Sequence, residues 1–148
     1  MKALVVACVL AAGACGGAQQ TVVGPNPKDN EITALWTQIR DWRREAGMKL
    51  DPTPQSIFQV TPNPVANAKL VCTENHPVPS TCNDVCNLAD DICDNAERIC
   101  QLADQLGKGD DYAQEKCSSA KASCREAKQK CCNCSAGGGD ATRTGGIF

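Results

Sequence analysis

Large aromatic groups are scarce: the 148 residues include two Trp, two Phe and one Tyr. Side chains of that size usually dominate core energetics, so bulk burial cannot be the main source of stability. With one histidine and two methionines, the chain lacks the paired His or extra Met ligands of common metal sites. Neither sign of charge dominates, with 15 Lys+Arg against 17 Asp+Glu and a formal net charge of -2. That balance argues against a nucleic-acid binder, which would be strongly basic. No Gly-rich phosphate loop or Ser elbow is present. His76, in Asn75-His76-Pro77, has no partner with which to serve as a base. The expectation is a protein that is not an enzyme, with no cofactor, no nucleic-acid partner and no small-molecule substrate.

Twelve cysteines are present instead, about 8% of the chain. A small exported domain that cannot build a sufficient core commonly relies on crosslinks in this way. Met1-Lys2 followed by the uncharged run Ala3 to Ala12 has the form of a signal peptide, and that run is too short for a membrane span, which needs about 20 residues. The following Ala12-Gly13-Ala14-Cys15 resembles the lipobox of bacterial lipoprotein precursors. The resemblance implies removal of residues 1–14, acylation of Cys15 and a membrane partner held through that lipid. It covers about fifteen residues and departs from the family at Ala12, where Leu is preferred. Ala12-x-Ala14 and Gly16-Gly17-Ala18 also read as ordinary signal-peptidase sites, so a secreted or periplasmic chain stays the alternative. Gly16 after the cysteine, where the family uses Asp to retain proteins, implies the outer membrane. Parity agrees with the lipid: once Cys8 leaves and Cys15 is acylated or removed, ten cysteines remain, which can pair completely.

Residues 15–28 then form a flexible tether. Asp29 or Asn30 can cap an amphipathic helix over 29–47 whose stripe is Ile32, Leu35, Trp36, Ile39, Trp42 and Ala46. Arg40, Arg43 and Arg44 suit the negative end of its dipole, and Gly47 suits its C-terminal stop. Residues 48–81 hold six prolines, which remove donors and fix φ, and predict an extended spacer without helix.

The cysteines of 82–134 carry the organising pattern. Cys86, Cys93 and Cys100 are spaced by seven, as are Cys117, Cys124 and Cys131, and seven residues is close to two helical turns. Gly107-Lys108-Gly109-Asp110-Asp111 between the triplets can end one helix and begin another. Folded there, the pairs Cys86–Cys131, Cys93–Cys124 and Cys100–Cys117 share one constant sum of residue numbers, as an antiparallel pairing requires. Rungs then stand about 10.5 Å apart. Ala89, Ala96 and Ala103 face Ala127, Ala120 and Ala113 by the same arithmetic, and small residues permit the close approach that a disulfide demands. Helix axes about 10 Å apart leave roughly 5.4 Å between facing Cα atoms. One helix is acidic (Asp84, Asp90, Asp91, Asp94, Glu97, Asp104) and the other basic (Lys116, Lys121, Arg125, Lys128, Lys130), which favours the same register.

Four cysteines remain. Cys82 lies one turn before Cys86, where the ladder offers it Cys134 or Cys132; Cys134, one away from the constant sum, is preferred, and Cys72 would then take Cys132. Val85, Ile92, Ile99 and Leu106 form a second stripe beside the cysteines, and the basic helix has no equal apolar row to cover it. The stripe carrying Trp36, Ile39 and Trp42 is expected to pack there; left uncovered, these residues would be an interaction surface for an unknown protein partner. The tail 135–148 is expected to be disordered.

The fold class expected is therefore all-α: a disulfide-laddered antiparallel helical hairpin, one N-terminal amphipathic helix and a Pro-rich extended spacer. The alternative function is a thiolate store for Cu(I) or Zn(II), because Cys82-x3-Cys86 resembles the spacing in Cys-rich helical bundles that store copper, though the other spacings depart from it.

Overall fold

The computed structural model describes residues 26–70 and 78–136. The expected signal peptide (1–14), Cys15 and the expected tether up to residue 25, Cys72, His76 and residues 137–148 of the tail lie outside the described residues. The described chain is all-α, and none of its helices is long and apolar enough to cross a membrane.

The first helix, α1, spans Pro27–Glu45 and starts two residues before the predicted position. Its cap is Asn26, whose side-chain oxygen accepts from the Lys28 N–H at 3.0 Å, rather than Asp29 or Asn30. Pro27 explains the shift, because its missing N–H and fixed φ suit the first helical position. The tether therefore does not extend to residue 28. At the other end Gly47 takes φ +66°, Gly47 N–H donates to the Arg44 carbonyl and Met48 N–H to the Arg43 carbonyl. These two bonds form a Schellman stop at the predicted glycine.

The expected extended spacer is corrected. Two short helices, α2 (Pro54–Val60) and α3 (Val65–Lys69), occupy it, and a 3₁₀ turn follows at Ser80–Cys82. Pro54 sits in the first turn of α2, where its missing donor is one of those that a helix leaves unsatisfied anyway, and Thr53 caps that turn by accepting from Ser56 N–H. Pro64 stands immediately before α3 in extended conformation. The prolines here set where helices begin.

The hairpin consists of α4 (Asn83–Leu106) and α5 (Asp111–Ala136), so the second helix continues two residues past Cys134 into the expected tail. Gly107 ends α4 at φ +90°, and Asp110 caps α5 by accepting from Ala113 N–H at 2.9 Å. The Gln114 side chain donates to the carbonyls of Ala103 and Gly107, closing the turn.

Helix α1 lies along the hairpin. Glu31 pairs with Arg98, the Thr33 hydroxyl shares a hydrogen bond with Tyr112, Gln38 accepts from Asn95, and Lys130 reaches the Gly47 carbonyl. These contacts run α1 antiparallel to α4 and parallel to α5. Beyond Gly47 the chain turns back over α5: Thr53 meets Glu126, the Thr61 carbonyl accepts from Lys121, and Lys69 reaches Asp94 and Glu97 on α4. Thus α5 is enclosed by all the other helices. It tolerates this because its buried positions are small: Ser119, Ala120, Ala122, Ser123, Cys124 and Ala127.

Candidate functional site

The cysteines meet where their spacing places them. Cα–Cα distances are 4.8 Å for Cys86–Cys131, 4.5 Å for Cys93–Cys124, 4.6 Å for Cys100–Cys117 and 5.9 Å for Cys82–Cys134. The first three are shorter than the sequence estimate, and the intervening alanines show why. Ala89, Ala96, Ala103, Ala113, Ala120 and Ala127 are all buried in the seam, with no side chain large enough to push the axes apart. Cys132 is also disulfide-bonded, and its expected partner, Cys72, lies outside the described residues. Among the described residues no group of three or more His, Cys, Asp or Glu side chains is arranged to hold a metal ion.

The two apolar stripes pack on each other as expected, so the surface they would otherwise have offered is internal. Ile32, Trp36, Ile39, Ile92 and Ile99 belong to one buried cluster, with Leu35, Trp42 and Leu106 packed partly buried against it. Val85, at the far end of the row, is half-buried. These residues are core because α1 covers them, so they offer no docking face. The large apolar groups left exposed are different ones, Phe58 above all at 82%, then Leu70, Val78 and Tyr112.

A buried ion pair was not anticipated. Arg43 is 1% exposed and its guanidinium stands 2.8 Å from Glu126 of α5, while its Nε donates to the Lys49 carbonyl. The second Glu126 oxygen accepts from Thr53 N–H at 3.1 Å and from the Thr53 hydroxyl at 3.2 Å. Burial pushes the Glu126 carboxyl up, but hydrogen bonds from Ser56, Arg43 and Thr53 outweigh it and hold the group below its ordinary value. One carboxylate thereby fastens the end of α1 and the start of α2 to α5. The sequence held a signal for this: residues 32, 36, 39, 43 and 46 fall on one helical stripe, and Arg43 is its one charged member.

Charge pairing spreads beyond the hairpin. Lys128 of α5 pairs with Asp90 of α4, but Asp94 and Glu97 are met by Lys69 of α3. The hydrogen bond that Lys69 donates to Glu97 raises the Lys69 pKa against the opposing effect of burial, with Asp94 adding to the rise. Lys116 stands over two rings, 5.6 Å from Trp36 and 5.4 Å from Tyr112, which ties α1 to the start of α5.

A groove of about 460 Å³ opens where α3 crosses the hairpin near its turn. Pro64 and Val65 form one wall, Lys69, Glu97, Asp104 and Lys121 bring charges of both signs, and Cys100 and Cys117 also line it. Burial holds the Lys121 ammonium below its ordinary pKa, with the Asp104 charge opposing that shift.

Fold and crosslinks together define a disulfide-laddered helical hairpin wrapped by a layer of three further helices. Comparison with known proteins finds no matching family model, no matching curated protein and no matching solved structure.

Proposed function

We propose that this chain is exported, acylated on Cys15 and held at the outer membrane of the cell envelope, where it acts without catalytic chemistry as a rigid structural or interaction module. The observation that carries this reading is the set of four disulfides between elements of one hairpin. Disulfides of this density persist in oxidising, exported compartments and are rare where thiols are kept reduced. The signal-like run and the lipobox-like Ala12-Gly13-Ala14-Cys15 supply the address. With α1 covering the apolar row of the hairpin, the module is complete without a partner, so a protein partner would meet its outer surface. A metal store would need the same sulfurs as thiolates, and in the disulfide state they are not available as ligands.

The test is expression of the full chain in a bacterium with an outer membrane, in the presence of labelled palmitate, followed by membrane fractionation. The reading expects label and outer-membrane recovery for the natural sequence and loss of both for Cys15→Ser. A soluble, unlabelled chain beginning after residue 14 or residue 18 would overturn it.

A further inference from the structure

The three closely paired rungs differ in access. The central one is sealed, with Cys93 1% exposed and Cys124 0%, whereas both outer rungs reach the surface equally, Cys86 and Cys131 at 8% and 7% and Cys100 and Cys117 at 8% and 7%; of these it is Cys100 and Cys117 that line the groove beneath α3. Charge around this last rung is asymmetric. Lys121 stands one helical turn beyond Cys117 on α5, while on α4 Asp104 stands one turn beyond Cys100 and Glu97 one turn before it. Lys69, the other cation of the groove, is engaged by Asp94 and Glu97. Lys121 has a single long hydrogen bond, 3.4 Å to the Thr61 carbonyl.

We propose that this groove is a thiol–disulfide exchange site that admits a small thiol, with the Cys100 sulfur attacked and the Cys117 sulfur as leaving group. The incoming thiolate forms a bond to Cys100 Sγ, the Cys100–Cys117 bond breaks, and its electron pair stays on Cys117 Sγ as a thiolate. A second thiol then displaces Cys100 from the mixed disulfide. The balance is one protein disulfide reduced to two thiols and two small thiols oxidised to one disulfide, with their two protons passing to Cys100 and Cys117. Exchange is faster when the leaving thiol has the lower pKa, and a neighbouring ammonium lowers a thiol pKa while carboxylates raise it. Lys121 therefore selects Cys117 to leave, and Asp104 and Glu97 disfavour charge on Cys100. Opening this rung leaves the helices together, because the sealed Cys93–Cys124 rung and the Gln114 hydrogen bonds to Ala103 and Gly107 still hold the turn end. The exchange is stoichiometric and adds to the structural role without replacing it.

Reduced glutathione serves as the probe. The fully oxidised full chain is mixed with it, quenched with N-ethylmaleimide at short times and mapped by mass spectrometry. The first product expected is glutathione on Cys100 with maleimide on Cys117, the Cys93–Cys124 rung remaining closed. Lys121→Gln should slow its formation several-fold, and Asp104→Asn should shift adduct from Cys100 toward Cys117. First opening at Cys82–Cys134 or Cys86–Cys131, equal adduct on Cys100 and Cys117, or an unchanged rate in Lys121→Gln would overturn the proposal.

Discussion

Between α4 and α5, four disulfides cross a seam of alternating alanine and cysteine. The contacts that attach α1, α2 and α3 to that hairpin are of another kind: a modest apolar cluster around Ile32, Trp36 and Ile39, surface ion pairs, and one buried pair, Arg43 with Glu126. The two regions resist different insults. A disulfide acts largely by restricting the unfolded chain, and the innermost rung, closing 17 residues, contributes about 3 kcal/mol on the loop-entropy account. A buried ion pair repays its desolvation only when both members stay hydrogen-bonded, so the outer layer is the region that a single substitution can detach.

Removing one member of that pair should separate the regions most. Glu126→Ala leaves a guanidinium buried without its counter-charge and should destabilise by about 3 kcal/mol, the lower end of the range for buried pairs because Glu126 is partly solvated. Hydrogen exchange should show protection lost in α1 and α2 and retained in α4. Replacing both members, Arg43→Met with Glu126→Leu, should recover much of the loss. Acid probes the same contact. Because folding lowers the Glu126 pKa, its contribution is complete above the ordinary value of 4.5 and is lost as the pH falls through the lower folded value. The natural protein should lose α1 protection over that range, and the double replacement should not.

A smaller effect is expected from crowding the seam. Ala96 is fully buried between the Cys93–Cys124 and Cys100–Cys117 rungs, and Ala96→Leu should destabilise by about 1–3 kcal/mol. Oxidative refolding followed by mapping should find Cys93–Cys124 closing late or mispaired. The smallest change is at the cap: Asn26→Ala removes the bond to Lys28 N–H and should cost about 1 kcal/mol, read as faster amide exchange confined to the first turn of α1.

The hairpin was legible in the sequence because disulfides make strict demands. Both partners must recur with the helical period, the register must be constant, and the residues between must be small, so Cys86 to Cys131 carry the whole arrangement. The docking of α1 was legible for a related reason, since the Ile92/Ile99 row had to be covered by something. What remained hidden depends on contacts without a period. Pro54 and Pro64 read as breakers because a proline's meaning reverses between the interior and the start of a helix, and that depends on what packs on α5. Arg43 suited the helix dipole as well as a buried pair, and Glu126 was one acid on a basic helix. The serines and alanines from 118 to 123 were the available sign that α5 is enclosed on more than one side.

Disulfide mapping without reduction tests the ladder most directly. The acidic residues of α4 and the basic residues of α5 place protease sites between successive rungs, so cleavage before Asp84, Asp90 and Asp94 and after Lys116, Lys121 and Lys130 separates the cysteines except Cys131, Cys132 and Cys134, which stay on one peptide and are told apart by fragment ions. The ladder predicts peptides linking Cys86 to Cys131, Cys93 to Cys124 and Cys100 to Cys117 in the natural protein. Links that break the constant sum, such as Cys86 to Cys124, or free thiols carrying stoichiometric copper or zinc, would contradict it.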